Sequence, residues 1–207
     1  MWSILGENMK IEWSTPPLRK GFNANIDKLI GPGATAAEKY LQSIVPLLAA
    51  GVLLACVYLG QWDWQVWQVI IAVILTVDIV GGIITNATST AKRWFHRKGQ
   101  GLWQHMQFIS IHFAQLALFS WAFLQFDIQW ILVAGGYMLL ASMAILLTNL
   151  YLQRPVALIF YASSIVLSSY YLTVPAGLEW FLPLFYLKLL ISHLLREEPY
   201  RPNAESL

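Results

Sequence analysis

Two oppositely charged side chains lie inside apolar stretches of this sequence, where a charge is costly. Asp78 and Lys188 each fall within an uncharged run long enough to cross a bilayer. A charge at mid-membrane costs about 2.5–3.5 kcal/mol on insertion scales, so each of the two needs a compensating partner. Both lie roughly 12 Å from the nearer helix end, which predicts an ion pair or a shared hydrated cavity. Lys188 alone could instead extend its ammonium to the interface.

Histidine and asparagine side chains in the same half of the apolar runs extend this candidate site. Asp78 and His112 fall at similar depth, so we expect them to form an acid–base or ligand pair. The candidate binding residues are Asn86, His105, Lys188 and His193. Because all of these lie toward one end of their helices, they predict a polar pocket that opens toward the cytoplasm or the inner leaflet.

The spacing of the histidines argues against a metal site. Two ligands of one metal on a helix are usually four residues apart, as in His-Glu-x-x-His. His105 and His112 are seven apart, or about 10.5 Å along a helix axis. We therefore predict no metal site, although Asp78, His112 and His193 on three helices could still meet. No Gly-x-Ser-x-Gly or phosphate-binding loop occurs, so the cofactor stays unknown and an enzymatic role stays open.

The elements that must position these residues are transmembrane helices. Of the 207 residues, 57% are hydrophobic and 12% are charged, about half the charged share of a soluble domain. Continuous apolar runs of about 20 residues, the length that crosses a bilayer core as a helix, occur at 40–60, 63–85, 103–126, 129–151, 155–173 and 178–195. The predicted fold class is therefore all-α, a polytopic transmembrane helical bundle of six spans.

The lysines and arginines predict the orientation of this bundle. All 13 of them except Lys188 lie before the first span, between spans two and three, between spans four and five, or after span six. The other three loops carry only acidic charges, at Asp63, Asp127 and Glu179. By the positive-inside rule, the chain is a multi-pass protein of the cell (inner) membrane with both termini in the cytoplasm.

Two further segments flank the predicted bundle of residues 40–195. Residues 1–39 form a cytoplasmic or interfacial segment, and residues 196–207 form a cytoplasmic tail. The first segment contains a short amphipathic interfacial helix, whose apolar residues recur at helical spacing at Phe22, Ile26, Leu29 and Ile30. Thr35 and Glu38 then form a capping box, so the helix of the first span should begin near Ala36.

The loop between spans two and three predicts contact with lipid headgroups. It mixes cations with aromatic side chains, and its basic residues are Lys92, Arg93, Arg97 and Lys98. Such a loop fits anionic headgroups, although it would also serve simply to hold the orientation. The bilayer is thus the predicted partner. A net charge of +2 gives no reason to expect nucleic acid, and an oligomer or a membrane-protein partner stays open.

Three functions fit these patterns. The first, which we favour, is a protein that acts on or binds a lipid or small apolar molecule at the inner leaflet. The second is an accessory or structural subunit of a larger membrane complex, in which the polar residues fix helix packing. The third is a proton-coupled transporter, in which Asp78 and Lys188 exchange partners. It ranks lowest because the outer halves of the spans are nearly free of titratable residues.

Overall fold

The structure is a computed structural model that describes residues 9–202, and it is mostly helical, at 71%. Residues 1–8 and 203–207, which belong to the two predicted flanking segments, lie outside the described part. The elements in chain order are β1 (Met9–Ile11), α1 (Phe22–Ile30), α2 (Ala36–Gly60), α3 (Val66–Ala87), α4 (Ser89–Phe95), α5 (Leu102–Ile111), α6 (Phe113–Phe123), α7 (Ile128–Leu147), α8 (Leu150–Tyr170), α9 (Phe181–Tyr186), a π-helix (Leu187–His193) and β2 (Tyr200–Pro202).

Five helices are long and apolar enough to cross a membrane. They are α2, α3, the joined pair α5 and α6, α7 and α8. The last apolar helix, Phe181–His193, is shorter than the roughly 20 residues that cross a bilayer core as a helix. The structure therefore supports a multi-pass membrane protein, whereas a complete sixth helical span over 178–195 is not confirmed.

Capping side chains fix where the long helices begin. Thr35 Oγ1 accepts from the Glu38 amide at 3.1 Å, and the Glu38 carboxylate accepts from the Thr35 amide at 2.7 Å. This is the predicted capping box, and α2 begins at Ala36 as expected. At the opposite end of the bundle, the Asp127 carboxylate accepts from the Trp130 amide at 2.9 Å and starts α7.

A predicted continuous helix is interrupted at His112. Its Nδ1 donates to the Phe108 carbonyl oxygen at 2.7 Å, while its backbone amide donates to Ile109 three residues earlier. A side chain that bonds into the hydrogen-bond ladder of its own helix is a common cause of such a break. The chain therefore changes from α5 to α6 at this residue.

The two ends of the described chain meet at one end of the bundle. β1 pairs with β2 in an antiparallel ladder. Beside it, Arg201 Nη1 donates to Gly33 O and to Thr90 Oγ1, both at 3.0 Å. We call the end formed by β1, β2 and α4 the terminal end, and the opposite end the far end. The small sheet is a departure from a purely helical fold.

Helix α1 forms where the amphipathic pattern predicted a helix. Phe22 and Leu29 are 78% and 70% exposed, while Asp27 is buried and forms an ion pair with Arg19 at 2.6 Å. Contact of this exposed apolar face with a membrane surface stays a prediction.

The core of the bundle is aromatic and lies around the last helix. Phe119 of α6 stacks on Phe181 of α9, with ring centroids 3.8 Å apart. Helix α7 adds fully buried residues, among them Met138 and Ile145. Helix α2 packs mainly on α3, so it stands at the edge of this core.

Candidate functional site

Asp78 and Lys188, the two charges predicted from the sequence, form an ion pair. Lys188 Nζ of the π-helix lies 2.6 Å from Asp78 Oδ2 of α3. The amide nitrogen of Gln115, on α6, donates to the same carboxylate oxygen. We call these three residues the ion-pair centre. Hydrogen bonds from two elements hold the carboxylate in place.

The two charges of the centre differ in exposure. The side chain of Lys188 is 4% exposed, whereas that of Asp78 is 50% exposed. Both donors reach Oδ2, and Oδ1 receives no hydrogen bond from any residue between 9 and 202. Ile74 and Ile70, one and two turns earlier on the same stripe of α3, are also exposed. The centre therefore presents one free acceptor oxygen on the outer side of the bundle.

Local backbone features make room for this ion pair. An added Cβ at Gly82, one turn after Asp78, would overlap the Cδ and Cε atoms of Lys188. The lysine stem therefore lies directly against the backbone of α3. Lys188 itself belongs to a seven-residue π-helix. This form is rare and is frequent at functional sites.

His112 is buried near α3 but is not hydrogen-bonded to Asp78. Its ring bonds to the carbonyl of Phe108 instead, and its residue exposure is 6%. Asn86 is also buried, at 4% exposure, and its side chain makes no hydrogen bond within the described range. The catalytic pairing of Asp78 with His112, and a binding role for Asn86, stay predictions.

Three imidazoles gather at the terminal end, and within residues 9–202 none of them is hydrogen-bonded to the ion-pair centre. His105 Nδ1 lies 3.1 Å from His193 Nε2, and His96 Nε2 donates to the His193 carbonyl oxygen at 3.0 Å. Burial, with the nearby His105 and Lys92, lowers the pKa of His96 to about 3. Within residues 9–202, no three His, Cys, Asp or Glu side chains are arranged to hold a metal ion.

The predicted headgroup contacts of Lys92 and Arg93 are wrong, because both side chains are 2% exposed. Lys92 Nζ donates to the carbonyl oxygens of Ser192 and Leu195 at 2.7 and 2.6 Å. Arg93 donates to the Pro32 carbonyl oxygen at 2.9 Å. The two cations therefore satisfy backbone acceptors inside the protein.

The other two basic residues of that loop remain accessible in part. The Arg97 guanidinium lies 3.6 Å from the centroid of the Trp94 ring, and Lys98 is exposed. Contact of these two side chains with anionic lipid stays a prediction.

Burial changes the acid–base behaviour of Lys92. The loss of solvent lowers its pKa from 10.5 to about 8, and the charge of Glu197, whose carboxylate lies 3.4 Å from Nζ, partly opposes the shift. Lys92 binds the last carbonyls of the π-helix region, a position where a cation also interacts favourably with the helix dipole. Its role is structural and couples α4 to the end of the last helix.

Two residues of these clusters did not emerge from the sequence as site candidates. Gln115 is an amide within an otherwise apolar span, three residues after His112, and that polarity was a usable signal. His96 lies in the basic loop, and no local pattern indicates that the loop folds back on His105 and His193. The structure brings them together only through the packing of α4 against the last helix.

Comparison with known proteins identifies no relative of this chain. No protein-family model matches the chain, and no curated protein and no solved structure matches it either. The geometry of the polar clusters and the membrane-spanning character of the helices therefore carry the functional argument.

Proposed function

We propose that this chain is a six-span protein of the cell membrane, with both termini in the cytoplasm, that binds a lipid or other small apolar molecule at the inner leaflet. The ligand would carry a hydroxyl group that donates to Asp78 Oδ1. The observation that carries this proposal is the half-exposed carboxylate, which is neutralised by a buried lysine and has one oxygen left free.

The meeting of the chain ends supports six crossings. The pairing of β1 with β2 supports an even number of crossings, since both strands then lie on one side of the bilayer. The five long helices account for five crossings, so the segment after α8 would make the sixth. Leu172 and Leu178 in that segment are buried at 3% and 0% exposure before α9 begins. Irregular backbone is tolerated at membrane depth when protein covers it, so this segment and the short last helix can complete the return.

The charge of the centre indicates the chemistry of the ligand. Asp78 and Lys188 together are formally neutral, so an uncharged donor such as a hydroxyl group fits better than an additional ion. The exposed side chains of Ile70 and Ile74, on the far-end side of Asp78, would contact an apolar end of the molecule that extends beyond the midplane. A hydrogen bond to a carboxylate oxygen is worth roughly 1.5–3 kcal/mol, enough to select an alcohol over its ether.

The depth of the carboxylate supports a ligand that comes from the membrane. Asp78 is about 13.5 Å along the helix from Ala87, at the terminal end of α3. The core of a bilayer is about 30 Å thick, so this oxygen would lie near the middle and on the inner side. A molecule dissolved in the inner leaflet reaches this position without crossing water.

Photo-crosslinking in vesicles tests the proposal. The probe is a long-chain alcohol with a diazirine in its chain, and the control probe is its methyl ether. We expect the alcohol to label the α3 and α6 peptides about tenfold more than the ether, in line with one charged hydrogen bond. The double variant Asp78→Leu/Lys188→Met, which removes the centre without leaving an unpaired charge, should abolish the difference.

A matched variant separates loss of the site from general damage. Thr85→Val removes a polar group from the same side of α3 without touching the centre, and should label like the wild type. Equal labelling by alcohol and ether, or a preference that persists in a folded double variant, would contradict the proposal.

A partner helix is the second candidate, and the outer face of α5 favours it. Gln104 and Gln107 are exposed there, and polar side chains at membrane depth often bind across helices. Mild extraction of the native membrane would then give a complex larger than the single chain, which Gln104→Leu/Gln107→Leu would dissociate. Wild-type and variant chains of equal, monomeric size would exclude this candidate.

A further inference from the structure

A second cavity lies on another face of α3 from the ion-pair centre and extends to the far end of the bundle. It has a volume of about 800 Å³ and is lined by α2, α3, the segment before α9 and α9 itself. Its walls are almost entirely apolar, with Ala49, Val52 and Cys56 on one side and Val80 and Leu184 on the other. It exists because α2 packs mainly on α3 and leaves its other side uncovered. We call this cavity the far cleft.

The dimensions of the far cleft match one acyl chain. From Cys56 to Ala49 it follows α2 for about 10.5 Å, starting near the far end and stopping near the middle of the helix. Half of a bilayer core is about 15 Å thick. A lipid of the leaflet at the far end would therefore place one tail along this wall.

The rim of the far cleft is built from indole rings and a carboxylate. Trp62, Glu179 and Trp180 all line it. The ring of Trp62 lies against the backbone of Gly177, where an added Cβ would meet ring atoms at 2.5 Å. The indole nitrogen of Trp180 is buried and has no hydrogen-bond partner among the described residues. The rim thus offers aromatic faces and an anion.

The charge of the far end determines which headgroup fits this rim. The loops of the far end carry Asp63, Asp127 and Glu179, and no lysine or arginine lies at 40–91, 99–153 or 155–187. A lipid with a net negative headgroup would meet only like charges there. An ammonium group is attracted both by a carboxylate and by the face of a tryptophan ring.

We propose that the far cleft binds a phospholipid with an ammonium headgroup, its tail along α2 and its head at Trp62, Glu179 and Trp180. This site is independent of the ion-pair centre, because it uses other residues and another face of α3. The lipid would fill the space that α2 leaves open, and would hold α2 against the start of the last helix.

Crosslinking with two lipids that differ only in the headgroup tests this inference. The purified chain is reconstituted in vesicles of equal phosphatidylcholine and phosphatidylglycerol that contain a trace of either lipid with a diazirine in one tail. We expect the phosphatidylcholine probe to label residues 49–56 about fivefold more than the phosphatidylglycerol probe, as one cation–π contact implies. Glu179→Gln should reduce that preference.

Two variants of α2 provide the matched comparison. Val52→Trp fills the cleft and should remove most of the labelling, whereas Leu54→Trp adds the same ring on an exposed position that does not line the cleft and should leave it intact. Ala49→Leu serves as the filling variant if Val52→Trp does not fold. Equal labelling by the two probes, or equal effects of the filling variant and Leu54→Trp, would overturn the proposal.

Discussion

Lys188 lies directly against Gly82 of the neighbouring helix, and from there its ammonium reaches Asp78 one turn earlier, at 2.6 Å. The ion pair therefore depends on a missing side chain as much as on two charges. Any residue larger than glycine at this position would occupy the path of the lysine stem. The close approach of α3 to the π-helix and the position of the carboxylate are consequences of the same contact.

The first prediction concerns this contact. Gly82→Ala should destabilise the protein by about 2 kcal/mol, because an added methyl group in a filled space forces its neighbours to move. Gly136→Ala is the control, since nothing lies within 4 Å of a Cβ added there. Thermal unfolding in detergent measures both. Equal melting temperatures for the two variants would show that the Lys188 side chain can move away from the added methyl group without cost.

The second prediction concerns the removal of each charge of the Asp78–Lys188 ion pair in turn. Asp78→Leu leaves the buried ammonium of Lys188 without its counter-ion, which costs about 3 kcal/mol in a buried pair. Lys188→Met leaves a carboxylate whose exposed half would face hydrocarbon rather than water, so it should cost a similar amount. The double variant should be more stable than Asp78→Leu alone, since no charge remains unpaired. Strictly additive losses in a double-mutant cycle would mean that the two side chains do not interact.

The third prediction follows from the lowered pKa of Lys92. Its pKa is about 8 in the folded protein and 10.5 in the unfolded chain. Between these values the unfolded chain binds more protons, so the free energy of unfolding rises with pH. From pH 8 to pH 10 this group should add roughly 2 kcal/mol of stability. Chemical unfolding at several pH values measures the slope.

Lys92→Met is the variant that tests the origin of this slope. It removes the titrating group, so the alkaline gain should largely disappear even though the variant is less stable at every pH. An unchanged slope in Lys92→Met would assign the effect to other groups. Lys98→Met, at an exposed position of the same loop, is the matched control and should keep the slope of the wild type.

Local chemistry made much of the fold predictable from the sequence. The capping box at Thr35 and Glu38 fixed the start of α2, and apolar length identified the five long helices. The cost of a charge inside a span predicted that Asp78 and Lys188 would form an ion pair or share a hydrated cavity, and the structure shows the ion pair. These inferences needed only the properties of single segments or of a single pair.

Features that depend on packing between distant segments were not predictable. Lys92 and Arg93 resemble any basic loop residues in sequence, yet they are buried because free carbonyls of the π-helix region and of Pro32 need donors. The π-helix itself has no signal in the apolar pattern. In the same way, the spacing of residues along the chain gives no indication that His96 contacts His193.

The fourth prediction tests the number of crossings. In a Cys56→Ser background, which removes the one cysteine, new cysteines at Lys98 and Arg196 should react with a membrane-impermeant maleimide from the same side. Cysteines at Gln61 and Gln125 should react from the other side. The reason is that α3 and the last helix return the chain to the terminal end, where β1 meets β2.

Glu179→Cys makes this test specific for the last crossing. Glu179 lies between α8 and α9, so with six crossings it is labelled from the same side as Gln61, and Arg196→Cys from the opposite side. If Glu179→Cys and Arg196→Cys were labelled from one side, the segment after α8 would not cross, and the chain would have five spans. Lys188 would then not lie inside the membrane, and this result would contradict the proposed position of the ligand.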